Sequence, residues 1–296
     1  MLQQIVNALV LGSIYVLFAL GLSLTWGTLN VLNLAHGSTF MFSGFVAYYI
    51  SSHSHLPLIL LILIAVAVGG VLAVLLDVLI FAQIKKRVLD EGRAELAMMI
   101  ASIGVATIPV AIAQKQTSDS PFYVRGAGWA NHVHRVGGVH FTNMSLVIVV
   151  VTIAGSVALG QWVARTRNGR ALRALAADAE TCGLMGINQR RLATLTLCVS
   201  GATAGLAGVL LTVYLGSLTP ESGQSLLLKA FAAVILGGVG SIWGTMAGAY
   251  LLAFAEISII ATTSGAWTDA ISFGVIVVVL LLRPQGIFSR VKVDRV

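Results

Sequence analysis

The chain has 296 residues, of which 10% are charged and 57% hydrophobic, with a mean hydropathy of +0.94; a soluble domain carries about 25% charged residues. That balance excludes an ordinary water-soluble fold and implies an integral membrane protein whose first partner is the lipid bilayer. The net charge of +7 reads as membrane topology rather than as a nucleic-acid surface, because the basic residues collect in the connections between apolar runs.

The N-terminal run "MLQQIVNALVLGSIYVLFALGLSLTW" lacks the positively charged leader and short core of a cleaved signal peptide and reads as the first span. Continuous stretches such as Leu56 to Leu76 and Met144 to Val163 reach the roughly 20 apolar residues that a spanning helix needs. A transmembrane barrel would instead alternate over segments of about 10 residues. The predicted class is therefore all-α, a polytopic membrane helix bundle. Its helices are expected near 5–24, 37–51, 57–82, 94–113, 143–164, 192–214, 226–243, 244–262 and 266–283.

Directly after the first run comes "NVLNLAHGSTF". Asn30, Asn33 and His36 stand three residues apart, which would put them on one helical face that breaks at Gly37. Irregular backbone at membrane depth is tolerated only where protein buries it or a cavity opens beside it, and interrupted helices mark transporter sites. Two readings follow: the polar groups cap and hydrogen-bond helix ends, or, with Ser38, they line a translocation path. If this segment only re-enters, eight spans remain and the N-terminus lies inside; if every element crosses, nine spans place it outside.

Fourteen of the 18 basic residues fall in three segments: Lys85, Lys86, Arg87 and Arg93; the six arginines from Arg165 to Arg191; and Arg283, Arg290, Lys292 and Arg295. Positive residues favour the cytoplasmic side, so these three segments and the C-terminus are expected there. The loop from Lys115 to Asn143 is then the long external one. Within the apolar runs stand Asp77, Lys229 and Glu256, each costly in lipid unless paired, wet or near an interface. Asp77 is expected to reach the nearby basic cluster. Lys229 and Glu256 either pair with each other or meet polar groups in a cavity.

The loop 165–191 has the composition of one or two short helices. Asp178 is the expected N-cap, Glu180 falls in the first turn and Gly186 is the stop. Leu172, Leu175, Ala176 and Ala179 would form its apolar face. It is either a tether between spans or a docking helix. Toward the C-terminus, 226–243 is interrupted by Gly237, Gly238 and Gly240. Gly201, Gly205 and Gly208, and Gly240, Gly244 and Gly248, repeat at the spacing of closely packed membrane helices. Gly37-Ser38 and Gly240-Ser241 are each followed by an Ala-Tyr, a faint internal repeat. Cys182 and Cys198 have no CxxC and no metal-type neighbours, and no nucleophile, metal cluster or phosphate-binding loop is evident.

Taken in order, "NVLNLAHGSTFMFSGFVAYY", "GRALRALAADAETCGLMGIN", "KAFAAVILGGVGSIWGTMAGAYLLAFAE" and "LLLRPQGIFSR" resemble the LivH-type permease subunits of branched-chain amino acid ABC importers, from end to end. The resemblance implies one transmembrane permease domain over 1–296 in the bacterial inner membrane. It implies a second, LivM-like permease, two cytoplasmic LivG- and LivF-like ATPases and a periplasmic substrate-binding protein as partners. No catalytic residue, metal or cofactor is implied in this chain itself, ATP being used by the partners. Asn30, Asn33, His36, Ser38 and Lys229 are the expected path residues, and Asp178, Ala179, Glu180, Gly183, Leu184, Met185, Gly186 and Ile187 the expected ATPase contact. Ser38 stands where the family usually has an acidic residue, and Trp243 where proline is common. Sister permeases for urea and short amides share these motifs; an ion-coupled secondary transporter is the rival of another class.

Overall fold

A computed structural model describes residues 2–262 apart from 89, 125–127, 131 and 137, and beyond them residues 274, 277 and 281, each helical. The expected helix 266–283 and the C-terminal basic cluster otherwise lie outside the described residues.

Helix α1 (Leu2–Leu29) is apolar on every side, as a helix surrounded by other helices must be. It packs against five helices introduced below and forms the axis of the bundle. The chain then leaves the helix at Asn30, whose φ of 52° is left-handed. Helix α2 (His36–His53) starts only after a turn built by Asn33. The Asn33 side chain accepts from the Ala35 amide at 3.0 Å and its carbonyl accepts from the His36 amide at 3.3 Å. This is the local side-chain competition that makes Asn a turn residue. The expectation of one polar helical face is thereby corrected: Asn30 and Asn33 lie in the break, His36 opens the next helix, and the interruption precedes Gly37 rather than falling on it.

Helix α3 (Leu58–Leu76) runs through a π-helical turn, Asp77–Phe81, into α4 (Ala82–Arg87). Helix α5 (Glu91–Thr117) is capped by Asp90, whose carboxylate accepts from the Arg93 amide at 2.8 Å. The loop expected after it contains an antiparallel hairpin, β1 (Val133–Val136) and β2 (Val139–Thr142), in register Val133 to Thr142. A Thr142–Ser145 capping box opens α6 (Asn143–Arg165). The bundle continues through α7 (Arg167–Ala177), α8 (Ala179–Leu184), α9 (Gln189–Leu215), α10 (Ser222–Gly237) and α11 (Ile242–Thr262).

Contacts fix the two ends. Gln3 bonds the His140 backbone, and Phe122 pairs with Leu218, so the start of α1, the hairpin and the end of α9 share one end. Thr28, Lys85, Glu95, Leu175 and Arg190 share the other. The predicted segment 226–243 is really a helix ending at Gly237, followed by a turn in which Gly238 and Gly240 take positive φ. This turn rests on the lower end of α1, where Gly240 donates to the Ser23 hydroxyl at 3.3 Å. The glycine spacing of α9 does serve close packing: a Cβ on Gly201 would fall 2.2 Å from the Gly69 carbonyl oxygen, and one on Gly208 would fall 2.1 Å from that of Phe40.

Among the described residues, six helices are long and apolar enough to cross a membrane: α1, α3 continued through α4, α5, α6, α9 and α11. Helices α2 and α10 are shorter, at 18 and 16 residues. The chain is nearly all-α and multi-pass, as its composition requires.

Candidate functional site

Three arrangements gather most of the polar residues that the sequence singles out. The first is the break between α1 and α2. His36 is buried between α1 and α9. One ring nitrogen lies 3.1 Å from the Phe18 carbonyl oxygen, the other 3.5 Å from the Ser200 hydroxyl, and the ring stacks on Phe18 at 4.6 Å. Ser200 in turn donates to the Gly21 carbonyl, and Ser102 of α5 accepts from the Leu34 amide. Ser38 is also buried and donates to the Ala35 carbonyl. The interruption is therefore held by three helices at once. Asn30 lines a cavity.

The second is an ion pair inside the bundle. The Lys229 Nζ lies 2.6 Å from Glu256 Oε1, and Tyr15 donates to Glu256 Oε2 at 2.7 Å. The Lys229 ammonium also lies 3.4 Å from the Tyr15 hydroxyl. The two charged side chains are 16% and 6% exposed. Of the two sequence readings, the mutual pair is the one the geometry adopts, and Tyr15 is its unanticipated third member. This triad ties α1, α10 and α11 together. Buried charges in a membrane need such pairing and additional hydrogen bonds.

The third is the connection between α6 and α9. Asp178 caps α8 as its sequence position predicts, accepting from the Thr181 amide at 3.0 Å, and Gly186 ends the motif at a φ of 78°. Leu172 is buried against the bundle. At the tip, Leu184 and Met185 are 86% and 79% exposed, and Gly183 and Gly186 keep the surface beside them low. Ala179 is fixed from behind by the Gln189 side chain, which donates to its carbonyl. Two exposed apolar side chains on a capped, anchored turn suit contact with another protein.

Asp77 corrects an expectation. It is buried and accepts a hydrogen bond from the Thr194 hydroxyl of α9 rather than an ion pair from the basic cluster. It opens the π-helical turn, a feature often found at functional positions. Together with Asn30, Lys85, Lys86, Glu95 and Arg190 it lines a cavity of about 480 Å³ between the end of α1, the π turn, α5, α7 and α9. Sequence reading singled out Asp77 and Asn30 separately but had no means of bringing them to one wall.

The family described as branched-chain amino acid transport system / permease component matches residues 4–280. The chain is 31% identical to the high-affinity branched-chain amino acid transport system permease protein BraD of Pseudomonas aeruginosa, covering 100% of this chain and 98% of that one. It is 33% identical to LivH, of the same description, from Escherichia coli K12, over 100% and 97%. It is 28% identical to the ribose import permease protein RbsC of Escherichia coli K12, over 86% and 76%.

Proposed function

This chain belongs to the family of branched-chain amino acid transport system permease components, and from that premise we propose that it is the path-forming subunit of an ATP-driven importer of branched-chain amino acids. It forms a single transmembrane permease domain in the inner membrane. The partners are a LivM-like second permease, two cytoplasmic LivG- and LivF-like ATPases and a periplasmic binding protein. The chain needs no cofactor of its own.

The observation that carries the mechanism is the α7–α8 element, capped, anchored and exposing Leu184 and Met185 at the end of the bundle where basic residues gather. Lys85, Lys86 and Arg190 line one cavity there, and an excess of positive charge favours the cytoplasmic side. That end is read as cytoplasmic, with the C-terminus on the same side and the N-terminus and the β hairpin outside. Residues Asp178, Ala179, Glu180, Gly183, Leu184, Met185, Gly186 and Ile187 then form the ATPase contact. Movement of the ATPases shifts α7–α8 against α9, which directly follows it.

The path follows the interrupted segment. Asn30 and Asn33 form the break, and His36 and Ser38 hold it against the neighbouring helices. Lys229 acts from α10 through its tie to α1 and α11. Substrate delivered from outside passes along this segment as the broken helices tilt.

Labelled L-leucine uptake tests the reading in proteoliposomes holding the complete importer, with binding protein outside and ATP inside. Uptake should require ATP and persist when an uncoupler collapses the ion gradient. Uptake that ignores ATP and follows the gradient would assign the chain to secondary transport instead.

A further inference from the structure

The cavity beneath α7–α8 is lined by charges of both signs. Lys85, Lys86 and Arg190 supply three cations and Asp77 and Glu95 two carboxylates, and among the described residues none of the five is ion-paired with another. Asp77 is buried, and among the described residues its side chain accepts one hydrogen bond, at Oδ2 from Thr194. Apart from Thr28, Asn30 and Gln189, the remaining wall is apolar: Val31, Phe81, Met98 and Leu197 are core residues of a small hydrophobic cluster that borders the space. Its volume of about 480 Å³ falls within the range of small-molecule sites. Two backbone irregularities meet there, the π turn that begins at Asp77 and the left-handed Asn30, and local strain of this kind gathers at ligand sites.

We propose that this cavity is a regulatory site for a free zwitterionic amino acid with an apolar side chain, bound from the cytoplasm. Its carboxylate meets Lys85, Lys86 and Arg190, its ammonium meets Asp77 and Glu95, and its side chain lies against Phe81 and Met98. The roof is formed by Leu175, Ala176 and Ala179 of the coupling element, and the floor by α1, the π turn and α5. A ligand spanning roof and floor ties α7–α8 to the bundle and resists the movement that drives transport. Accumulated product thereby slows its own import. The proposal rests on the reading of the chain as an amino acid permease.

Proteoliposomes of the complete importer, preloaded with ATP and increasing L-leucine, test it by the initial rate of labelled L-leucine uptake. Internal L-leucine should inhibit. L-leucinamide, which lacks the carboxylate, and 4-methylpentanoate, which lacks the ammonium, should not. Lys86→Gln and Glu95→Gln alter exposed side chains that have no ion partner among the described residues, and they should leave the uninhibited rate unchanged. Each should shift inhibition to about tenfold higher L-leucine, the loss of one charge-assisted bond. Normal uptake insensitive to internal L-leucine would overturn the site while leaving the permease reading intact. No uptake of any branched-chain amino acid would overturn that reading, and the site with it. A fall in the uninhibited rate of both variants would assign the cavity to the transport path. Phosphatidylethanolamine carries the same pair of charges. Its retention by the purified complex, lost in Lys86→Gln and unaffected by L-leucine, would identify the occupant as a lipid headgroup and overturn the proposal.

Discussion

Removing one partner of the Lys229–Glu256 pair should destabilise the bundle far more than removing both charges. Glu256 is the more deeply buried and has both carboxylate oxygens engaged, one by Lys229 at 2.6 Å and one by Tyr15 at 2.7 Å. In Lys229→Met the carboxylate keeps only the tyrosine hydroxyl, and an uncompensated buried charge costs about 3–5 kcal/mol. Glu256→Gln strands the ammonium, but Lys229 is more exposed and its flexible stem reaches polar surroundings more easily, so the lower end of that range applies. The double variant Lys229→Met/Glu256→Gln has no charge to strand, and the Gln carbonyl still accepts from Tyr15. It should return to within about 1 kcal/mol of the native protein, because replacing a buried pair is often near neutral. With a midpoint shift of roughly 2 °C per kcal/mol for a large domain, the Lys229→Met protein should melt about 6–10 °C lower. A thiol-reactive fluorogenic dye reading the unmasking of Cys182 and Cys198 in detergent reports this directly. Additive losses in the double variant, or no loss in Lys229→Met, would refute the coupling. Transport by a stable double variant then separates the roles: normal uptake would remove Lys229 from the proposed path.

Three further outcomes follow from the same geometry. Without the native thiols, cysteines placed at Arg87 and Arg173 should resist a membrane-impermeant reagent in intact cells while one at Gly128 reacts; labelling at Arg173 would reverse the orientation. His36→Leu removes the contacts to Phe18 and Ser200, at about 1–3 kcal/mol for the groups left unsatisfied. It should lower the yield of folded protein, measured by fluorescence-detected gel filtration, and normal yield with lost uptake would instead favour direct substrate contact. Gly183→Arg should abolish ATPase co-purification and uptake together while leaving the melting midpoint unchanged. An intact complex in that variant would deny α8 its coupling role.

Much of the architecture is legible in the sequence because lipid imposes simple demands. The apolar lengths of α1, α3, α5, α6, α9 and α11 follow from bilayer thickness, and the caps at Asp178 and Gly186 follow from local hydrogen-bond chemistry. The packing of Gly201 and Gly208 was visible in their spacing. The break at 30–35 is visible as a run of polar residues, but its geometry is not. Helical spacing assumes continued helix, whereas Asn30 takes left-handed φ and Asn33 turns its side chain onto the Ala35 amide. The triad was half legible: Lys229 and Glu256 stand out as charges, but Tyr15 lies 241 positions from its acceptor and looks like any interfacial aromatic. Nothing in "DVLIF" announces a π turn, since its extra residue is absorbed by packing against α9 and by the Thr194 bond. The charged cavity was hidden for the same reason, its walls coming from five separate segments.

The central place of α1 bears on how the protein is made. Its most extensive partners, α9 and α11, leave the ribosome roughly 190 or more residues later, which at about 5–20 residues per second is a wait of ~10–40 s. During that interval the helix stands in the bilayer with faces that the finished bundle will cover. Those faces must therefore tolerate lipid on their own, and they do: Ile14, Leu17, Phe18 and Leu22 are as suited to acyl chains as to protein. Two of its polar groups face the later arrivals, Tyr15 toward Lys229 and Glu256, and Ser23 toward Gly240 and Thr245. Insertion and assembly are thus separable stages for this segment: the first is written in its greasiness, and the second is deferred until the last third of the chain has emerged.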